Sequence, residues 1–232
     1  MTNDKEQVVE KSIVFEPSVM DSYKNGWNQM WKYFLELFLI FLIAFLIGLP
    51  NAVWSFVFEI PSEMEGLGSL FFGLVALYIW IFSLAYIFLF LRPIEYGIAF
   101  AHLKAARSDK LEVKNIFDVF QNYWNAVLAN ILVGLIVAIG FIFLIVPGII
   151  FACKLAFVPY LVVDRKLDVI EAIKESWRMT NGYALDVFSI ALLAIPITIG
   201  GLLLFGVGII ISTIWIRLAF ASLYHAVSVL KE

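Results

Sequence analysis

The stretch ILVGLIVAIGFIFLIVPGII, residues 131–150, contains no charged or polar side chain in twenty positions. About twenty apolar residues are what an α-helix needs to cross the hydrocarbon core of a bilayer, which is ~30 Å thick. The apolar run continues on both sides, and Pro147 and Gly148 interrupt it near its end. We predict two membrane segments here, Ala126–Val146 and a shorter one at Gly148–Val163, which form a hairpin with a tight PGII turn and almost no outside loop.

The composition of the whole chain agrees with a membrane protein. Of 232 residues, 62% are hydrophobic and 15% are charged, and the mean hydropathy is +0.94. Soluble domains of this size use a far more polar mixture. Four further apolar segments bring the predicted number to six: Phe34–Phe58, Leu70–Leu91, Leu185–Leu204 and Val207–Val229. We predict an all-α integral membrane protein that is a single membrane domain over residues 1–232, with a polar N-terminal tail at 1–17.

The basic residues collect in alternate connections. They lie in the tail before segment one, between segments two and three, and between segments four and five, whereas the first loop, EIPSEMEGLGS (59–69), has three glutamates and no basic residue. Lys and Arg are enriched in cytoplasmic loops of membrane proteins. This distribution predicts that both termini face the cytoplasm, and we assign the chain to the cytoplasmic (inner) membrane of a prokaryote.

Three connections have apolar residues at helical spacing: VMDSYKNGWNQMW (19–31), VKNIFDVFQNYW (113–124) and VIEAIKESWRMT (169–180). They are predicted to be amphipathic helices at the membrane interface, with Trp27, Trp31, Trp124 and Trp177 as anchors at headgroup level. Ser18 with Asp21, and Asp168 with Glu171, are typical of helix starts, and Gly182 is typical of a helix stop.

These three helices introduce an internal pattern. When they are aligned on their first valines, a polar residue follows seventeen positions later in each case: Glu36, Asn130 and Asp186. The segments RPIEYGIAFA (92–101), KLAFVPYLVV (154–163) and RLAFASLYHA (217–226) also align, and each begins with a basic residue. Gly97, Pro159 and Ser222 follow that basic residue five positions later.

We therefore predict three pseudo-repeats of one interfacial helix and one transmembrane hairpin, at 18–107, 112–166 and 168–232. Internal repeats are common in membrane transport folds. The alternative is that apolar helices of similar length align by chance. The repeat makes a specific prediction, namely that segment two continues past Pro93 towards His102 and that Arg92 lies inside the membrane.

Arg92, Lys154 and Arg217 then require partners, because a charge at the middle of a bilayer costs ~2.5–3.5 kcal/mol on insertion scales. In one interpretation they form structural contacts with the intramembrane polar partners Glu36, Asn130 and Asp186. In the other, the three basic residues converge on an anion or a lipid phosphate, for which arginine is well suited. The sequence leaves both interpretations open.

No pattern of catalysis is present. His102 and His225 stand alone, Cys153 is a single cysteine in an apolar run, and the chain has no HExxH, GxSxG or P-loop pattern. Asp164, at a membrane exit, is interpreted as a capping or headgroup-level residue. We predict no enzyme activity, no metal site, no cofactor and no nucleic-acid partner.

The string IVPGIIFACKLAFVPYLVVDRKLDVIEAIKESWRMTNG (145–182) resembles uncharacterised bacterial and archaeal multi-pass membrane proteins related to the membrane domain fused to some glycerophosphoryl diester phosphodiesterases. FEPSVMDSYKNGWNQMWKYF (15–34) resembles the opening of that group. The resemblance implies a multi-pass fold for most of the chain. It implies no hydrolytic activity, because these 232 residues include no soluble phosphodiesterase domain. The residues that carry it are Pro147, Gly148, Pro159, Tyr160, Val163, Asp164, Glu171, Ala172, Ser176, Trp177 and Gly182.

The sequence therefore favours a non-enzymatic polytopic membrane protein that binds membrane lipids, or a partner protein at its cytoplasmic face, in envelope maintenance. The alternative is a transporter or channel for a small anionic solute or lipid, with Arg92, Lys154 and Arg217 along its path and Glu36 and Asp186 as gating partners. A dry, paired core would favour the first function, and a wet basic cavity would favour the second.

Overall fold

The computed structural model describes residues 16–57, 67–204 and 207–231, and these residues form helices and short connections without a β-strand. A 3-10 helix at Val113–Asn122 and a π-helical turn at Ile87–Leu91 accompany the α-helices. The α-helices are α1 (Val19–Lys32), α2 (Phe34–Val57), α3 (Leu67–Tyr86), α4 (Arg92–Ala106), α5 (Tyr123–Phe143), α6 (Ile145–Lys154), α7 (Val158–Asp164), α8 (Val169–Met179), α9 (Ala184–Leu203) and α10 (Val207–Lys231).

Six helical stretches are long and apolar enough to cross a membrane, as the sequence predicts. This is the architecture of a multi-pass membrane protein, and large apolar side chains are exposed along the outer faces of these helices. The six stretches are Phe34–Asn51, Leu70–Ala106, Val113–Phe143, Ile145–Asp164, Ala184–Leu203 and Val207–Lys231.

The second stretch is longer than the segment Leu70–Leu91. The helix continues through Pro93 to Ala106, as the alignment of the basic segments predicts. A proline in a helix leaves the carbonyl four residues earlier without its amide partner. Here the π-helical turn precedes the proline, and the carbonyl oxygen of Leu89 accepts a 2.6 Å hydrogen bond from the Tyr123 hydroxyl. The contact from α5 therefore compensates for Pro93.

The hairpin between the third and fourth stretches is confirmed, but its turn lies elsewhere. Leu144 alone, with an extended backbone, separates α5 from α6. Pro147 and Gly148 belong to the first turn of α6, where a proline loses no helical hydrogen bond. Gly140 and Gly148 lie face to face, since a methyl group at Gly140 would be 2.9 Å from the Cα atom of Gly148. The two glycines let the helices meet closely just beside the turn.

The fourth stretch is two helices, because α6 ends at Lys154 and α7 begins at Val158. Pro159 lies at the start of α7, where its missing N–H is tolerated. Ser176 of α8 binds both sides of the break, since its hydroxyl donates to the Lys154 carbonyl at 2.8 Å and accepts from the Phe157 N–H at 3.3 Å. The broken segment thus depends on α8 for its hydrogen bonds.

The three predicted interfacial elements are present, with one change of type. The segment at 113–122 is a 3-10 helix, and the Glu112 N–H at its start donates to the Asn115 side chain at 2.9 Å. Ser18 caps α1 by accepting from the Asp21 N–H at 3.2 Å. Asp168 occupies the cap position of α8, but its carboxylate accepts from the Asn125 amide instead of capping the helix.

The end of α8 agrees with the prediction, because Gly182 has φ +94, a conformation that favours glycine.

Each of these three elements packs on one of the basic-led segments, by which we mean the aligned segments 92–101, 154–163 and 217–226 that begin with a basic residue. In α1, a methyl group at Gly26 would be 3.1 Å from the Ala219 backbone nitrogen of α10. On α4, a methyl group at Gly97 would overlap the Ile116 carbonyl of the 3-10 helix. The third element, α8, packs on the break between α6 and α7. The buried core accordingly lies where α4, α7 and the second half of α10 meet these three elements.

Candidate anion-binding site

The three basic residues that the repeat singles out lie in different surroundings. The Arg92 guanidinium forms an ion pair with Glu95 at 3.1 Å, and both side chains are about half exposed, 50% and 48%. Arg92 also lines a cavity of about 540 Å³ together with Asn130 of α5. The structure therefore brings together one basic residue and one of its three predicted polar partners, although Glu95, one turn away, is the residue that pairs with the charge.

Lys154 lies at the end of α6, next to α8. Its ammonium donates to the Asn181 side chain at 3.4 Å and lies 5.7 Å from the centre of the Trp177 ring. Both contacts are with polar or aromatic groups, and a cation over an indole is favourable by about 0.5–1 kcal/mol at an exposed site. Lys154 therefore has local partners of its own.

Arg217 is different, because it forms no hydrogen bond or ion pair within the described ranges. It is partly buried on α10, immediately before the point where α1 crosses that helix. Its neighbours form a cavity of about 120 Å³ between α2, α4 and α10. The cavity is lined by Ile40, Phe41, Ala44, Phe45, Ile98, His102, Thr213, Ile214 and Arg217.

The predicted convergence of the three basic residues is not what this arrangement suggests. Arg92, Lys154 and Arg217 share no hydrogen-bond partner in the part of the chain that is described, and Arg92 and Arg217 line two different cavities. Glu36 and Asp186, which were expected as their carboxylate partners, form no ion pair with any described residue. Of the three, Arg217 alone combines a cavity with a free guanidinium.

His102 also lines the Arg217 cavity, and no sequence pattern predicts it there. Its side chain is 2% exposed, and Nδ1 lies 2.8 Å from the carbonyl oxygen of Ile98, one turn earlier in α4. Nε2 is buried and has no hydrogen-bond partner among residues 16–57, 67–204 and 207–231. A buried polar atom without a partner is unusual in a native protein and requires an explanation.

The walls of this cavity are apolar, and one of them faces outward. Ile40, Phe41, Ala44 and Phe45 come from a single face of α2, and Phe45 is 56% exposed on the lipid-facing side of the bundle. The cavity therefore combines a cation and an unpaired ring nitrogen with hydrocarbon walls. That is the combination that an amphiphile with an anionic head requires.

A second polar cluster lies at the ends of α4 and α7, and the sequence analysis missed it. The two terminal nitrogens of the Arg107 guanidinium donate to the two carboxylate oxygens of Asp164, each at 2.7 Å, and the Tyr224 hydroxyl donates to the same carboxylate at 3.3 Å. Burial opposes the charge on Arg107, but the hydrogen bonds and negative charge of Asp164 outweigh it, so the pKa of Arg107 is raised.

This ion pair joins the end of α4 to the end of α7, 57 residues apart. Asp164 is therefore a partner of Arg107 and not the capping residue of our interpretation. The two charges neutralise each other, and Tyr224 adds a third hydrogen bond to the carboxylate, which favours a structural role for the cluster. A signal for it was present in the predicted extension of segment two, which carries Arg107 to the end of a helix.

The predicted tryptophan anchors are all exposed: Trp27 at 40%, Trp31 at 54%, Trp124 at 69% and Trp177 at 42%. Their place at headgroup level stays a prediction. In the described part of the chain, no group of three or more His, Cys, Asp or Glu side chains is close enough to hold a metal ion.

Comparisons with known proteins leave the chain without an assigned family. No family model, no curated protein and no solved structure matches it.

Proposed function

We propose that this chain is a non-enzymatic polytopic membrane protein that binds an anionic lipid at the Arg217 cavity, in a role of envelope maintenance. The observation that supports the proposal is the free guanidinium of Arg217 in a cavity with apolar walls. A charged group in a membrane protein is costly unless it has a partner or a wet surrounding. A lipid phosphate would supply the missing partner.

The position of the cavity supports a lipid over a wholly soluble anion. The exposed tryptophans of α1 are typical of a helix at headgroup level, and α1 crosses α10 directly after Arg217. A lipid headgroup drawn slightly inward would reach the guanidinium, while its chains stay beside Phe45 on the outer face of α2. Phosphate and arginine form short, charge-assisted hydrogen bonds, which are about twice as strong as neutral ones.

We further propose the three pseudo-repeats at 18–107, 112–166 and 168–232. Their support is a cyclic order of contacts, in which each interfacial element packs on the basic-led segment of the preceding unit. The 3-10 helix packs on α4 at Gly97, α8 packs on the α6–α7 break through Ser176, and α1 closes the order on α10 at Gly26. The proposal includes cytoplasmic termini, the cytoplasmic membrane of a prokaryote and the family resemblance described above.

The alternative function, transport of a small anionic solute or lipid, has one observation in its favour. The cavity of about 540 Å³ beside Arg92 and Asn130 is larger than the Arg217 cavity of about 120 Å³. However, Glu95 already neutralises Arg92. Partner proteins at the cytoplasmic face, such as those that would contact α1 and α8, remain part of the proposal and rest on the exposed tryptophans there.

Native mass spectrometry of the protein released from its membrane tests the lipid proposal. We expect wild type to retain an anionic phospholipid and Arg217→Gln to lose it. Lys174→Gln, which removes one positive charge from the exposed face of α8, is the matched control and should retain the lipid. Equal lipid retention by wild type and Arg217→Gln would refute the proposal. Loss of lipid in Arg92→Gln, together with anion flux in liposomes, would favour the transport alternative.

A further inference from the structure

The hydrogen bond of His102 defines what the Arg217 cavity offers to a ligand. A carbonyl oxygen only accepts, so Nδ1 must carry the proton that is shared with Ile98. In the neutral imidazole, Nε2 then keeps a lone pair and acts as an acceptor. A protonated His102 would be a second cation beside Arg217. The lining residues include no counter-ion for it, since all of them except Thr213, His102 and Arg217 are apolar. The lining of the cavity therefore includes the guanidinium donors of Arg217 and a histidine ring whose buried Nε2 is an acceptor without a partner among the described residues.

This pair of groups is selective among anions. A phosphodiester or a carboxylate has only acceptor oxygens on its charged group, so it would satisfy Arg217 and leave Nε2 of His102 without a partner. A singly ionised phosphomonoester has two oxygens that share one negative charge, and one P–OH on the same phosphorus. Its oxygens accept from Arg217, and its hydroxyl donates to Nε2.

We infer that the Arg217 and His102 cavity is a binding site for the phosphomonoester head of a lipid, in preference to phosphodiester lipids and fatty acids. The inference rests on the proposed function and names its ligand class. The cavity volume of about 120 Å³ is well above the ~10–15 Å³ that one water molecule needs, so a phosphate-sized group has room there. The walls of Ile40, Phe41 and Phe45 favour a phosphate that carries hydrocarbon chains over free phosphate.

Binding of short-chain lipids to the purified protein in detergent tests this inference. The probes are dioctanoyl phosphatidic acid, dioctanoyl phosphatidylglycerol, octanoate and inorganic phosphate, and calorimetric titration measures each affinity. We expect phosphatidic acid to bind about tenfold more tightly than phosphatidylglycerol, since a hydrogen bond between the ligand and a buried acceptor is otherwise left unmade. Octanoate and inorganic phosphate should bind more weakly than either lipid.

Two substitutions at His102 separate its acceptor from its structural bond. In His102→Asn the amide nitrogen lies near the former Nδ1 and keeps the bond to Ile98, but no acceptor remains at Nε2. Its affinity for phosphatidic acid should fall about tenfold to that of phosphatidylglycerol, whose own affinity should not change. In His102→Gln the longer side chain places an amide oxygen near Nε2, and the preference should return at least in part.

The outcomes separate the two proposals. If neither lipid binds wild type, the proposed function itself is wrong. If both lipids bind equally, or if His102→Asn weakens both by the same factor, the protein binds anionic lipid but the phosphomonoester inference is overturned. If inorganic phosphate binds as tightly as phosphatidic acid, the site takes a soluble phosphate and the lipid assignment fails. Unchanged binding of phosphatidylglycerol to His102→Asn also shows that this variant is folded.

Discussion

Replacement of Gly97 by alanine should separate α4 from the 3-10 helix that packs on it. The added methyl group would overlap the carbonyl oxygen of Ile116 and lie 2.7 Å from its carbonyl carbon. Carbon atoms in good contact are about 3.5–4.0 Å apart, so the two backbones must move apart by roughly 1 Å. Both partners are backbone, and no side-chain rotation can relieve the overlap.

The energetic cost depends on the apolar contacts between α4 and the 3-10 helix that this movement separates. Ile94 and Ile98 on α4 and Ile116 on the 3-10 helix are at most 6% exposed and pack in one cluster. Overpacking of a close contact costs typically 1–3 kcal/mol, whereas glycine to alanine inside an unobstructed helix gains about 1 kcal/mol. We expect a net loss of about 2 kcal/mol for Gly97→Ala, because an overlap with backbone belongs at the upper end of the overpacking range.

Thermal unfolding in detergent, followed by loss of helical circular dichroism, measures the effect. Gly200→Ala is the matched control, since Gly200 lies inside α9 with nothing within 4 Å of the added methyl group. We expect Gly97→Ala to melt several degrees below wild type, by the usual ~2–4 °C per kcal/mol for this chain length. The Gly200→Ala control should melt at or slightly above the wild-type temperature. Equal melting temperatures for the two variants would refute the close contact between α4 and the 3-10 helix.

Three other predictions concern hydrogen bonds that join distant segments. Asp164→Asn should lose about 3 kcal/mol of stability by stranding the Arg107 charge, and adding Arg107→Gln should recover part of it; strictly additive losses would contradict the pair. The Tyr23 hydroxyl donates to the carbonyl oxygen of Ile190 at 2.9 Å. Burial raises the pKa of Tyr23 to about 12, so the folded state holds this proton more tightly than the unfolded chain does. The contribution of Tyr23 to the free energy of unfolding should be fully present below pH 10 and should be lost between pH 10 and 12. Tyr23→Phe should lack this part of the fall, so parallel curves of stability against pH for the two proteins would contradict the prediction. Ser176→Ala should cost about 2 kcal/mol and speed hydrogen exchange in the break after Lys154, and unchanged exchange there would show that the serine is dispensable.

The six apolar segments and the amphipathic elements could be predicted because both depend on local sequence alone. A run of about twenty apolar residues is typical of a helix that spans a bilayer. The apolar faces of α1 and α8 follow from the spacing of apolar residues within each segment. The break between α6 and α7 was missed for the opposite reason. Pro159 is compatible with a kinked helix or with two helices, and the choice depends on Ser176, which reaches the break from another element.

The type of the middle interfacial element was also decided by tertiary contact. Residues 113–124 have the apolar spacing of an α-helix, but the structure forms a 3-10 helix up to Asn122. Ile116 lies against Gly97, on a helix whose extension through Pro93 was itself only an inference from the repeat. Spacing of apolar residues identifies the buried face of such an element. The tightness of its turns depends on the surface that it meets.

The candidate site shows a similar limit. Arg217 was conspicuous in the sequence as a charge within an apolar segment, whereas His102 was set aside because no second ligand lies at a helical spacing from it. A search for ligands at helical spacing detects metal motifs on one helix. It does not detect Arg217, which lies on another helix, 115 positions after His102. Arg107 and Asp164 were missed in the same way, since each was judged against its own neighbours in the chain.

Arg217 differs from the other basic residues of the helices when their partners are compared. Arg92 has Glu95, Arg107 has Asp164, and Lys154 has an amide and an indole. If the basic residues served only to fix helix register, Arg217 should also have a partner, because an unpaired charge at the centre of a membrane helix costs ~2.5–3.5 kcal/mol. One of the polar residues that line the same cavity is instead His102, whose Nε2 is itself unpaired. A ligand that accepts from the first and donates to the second would offset both costs at once, which is why we place the binding site there.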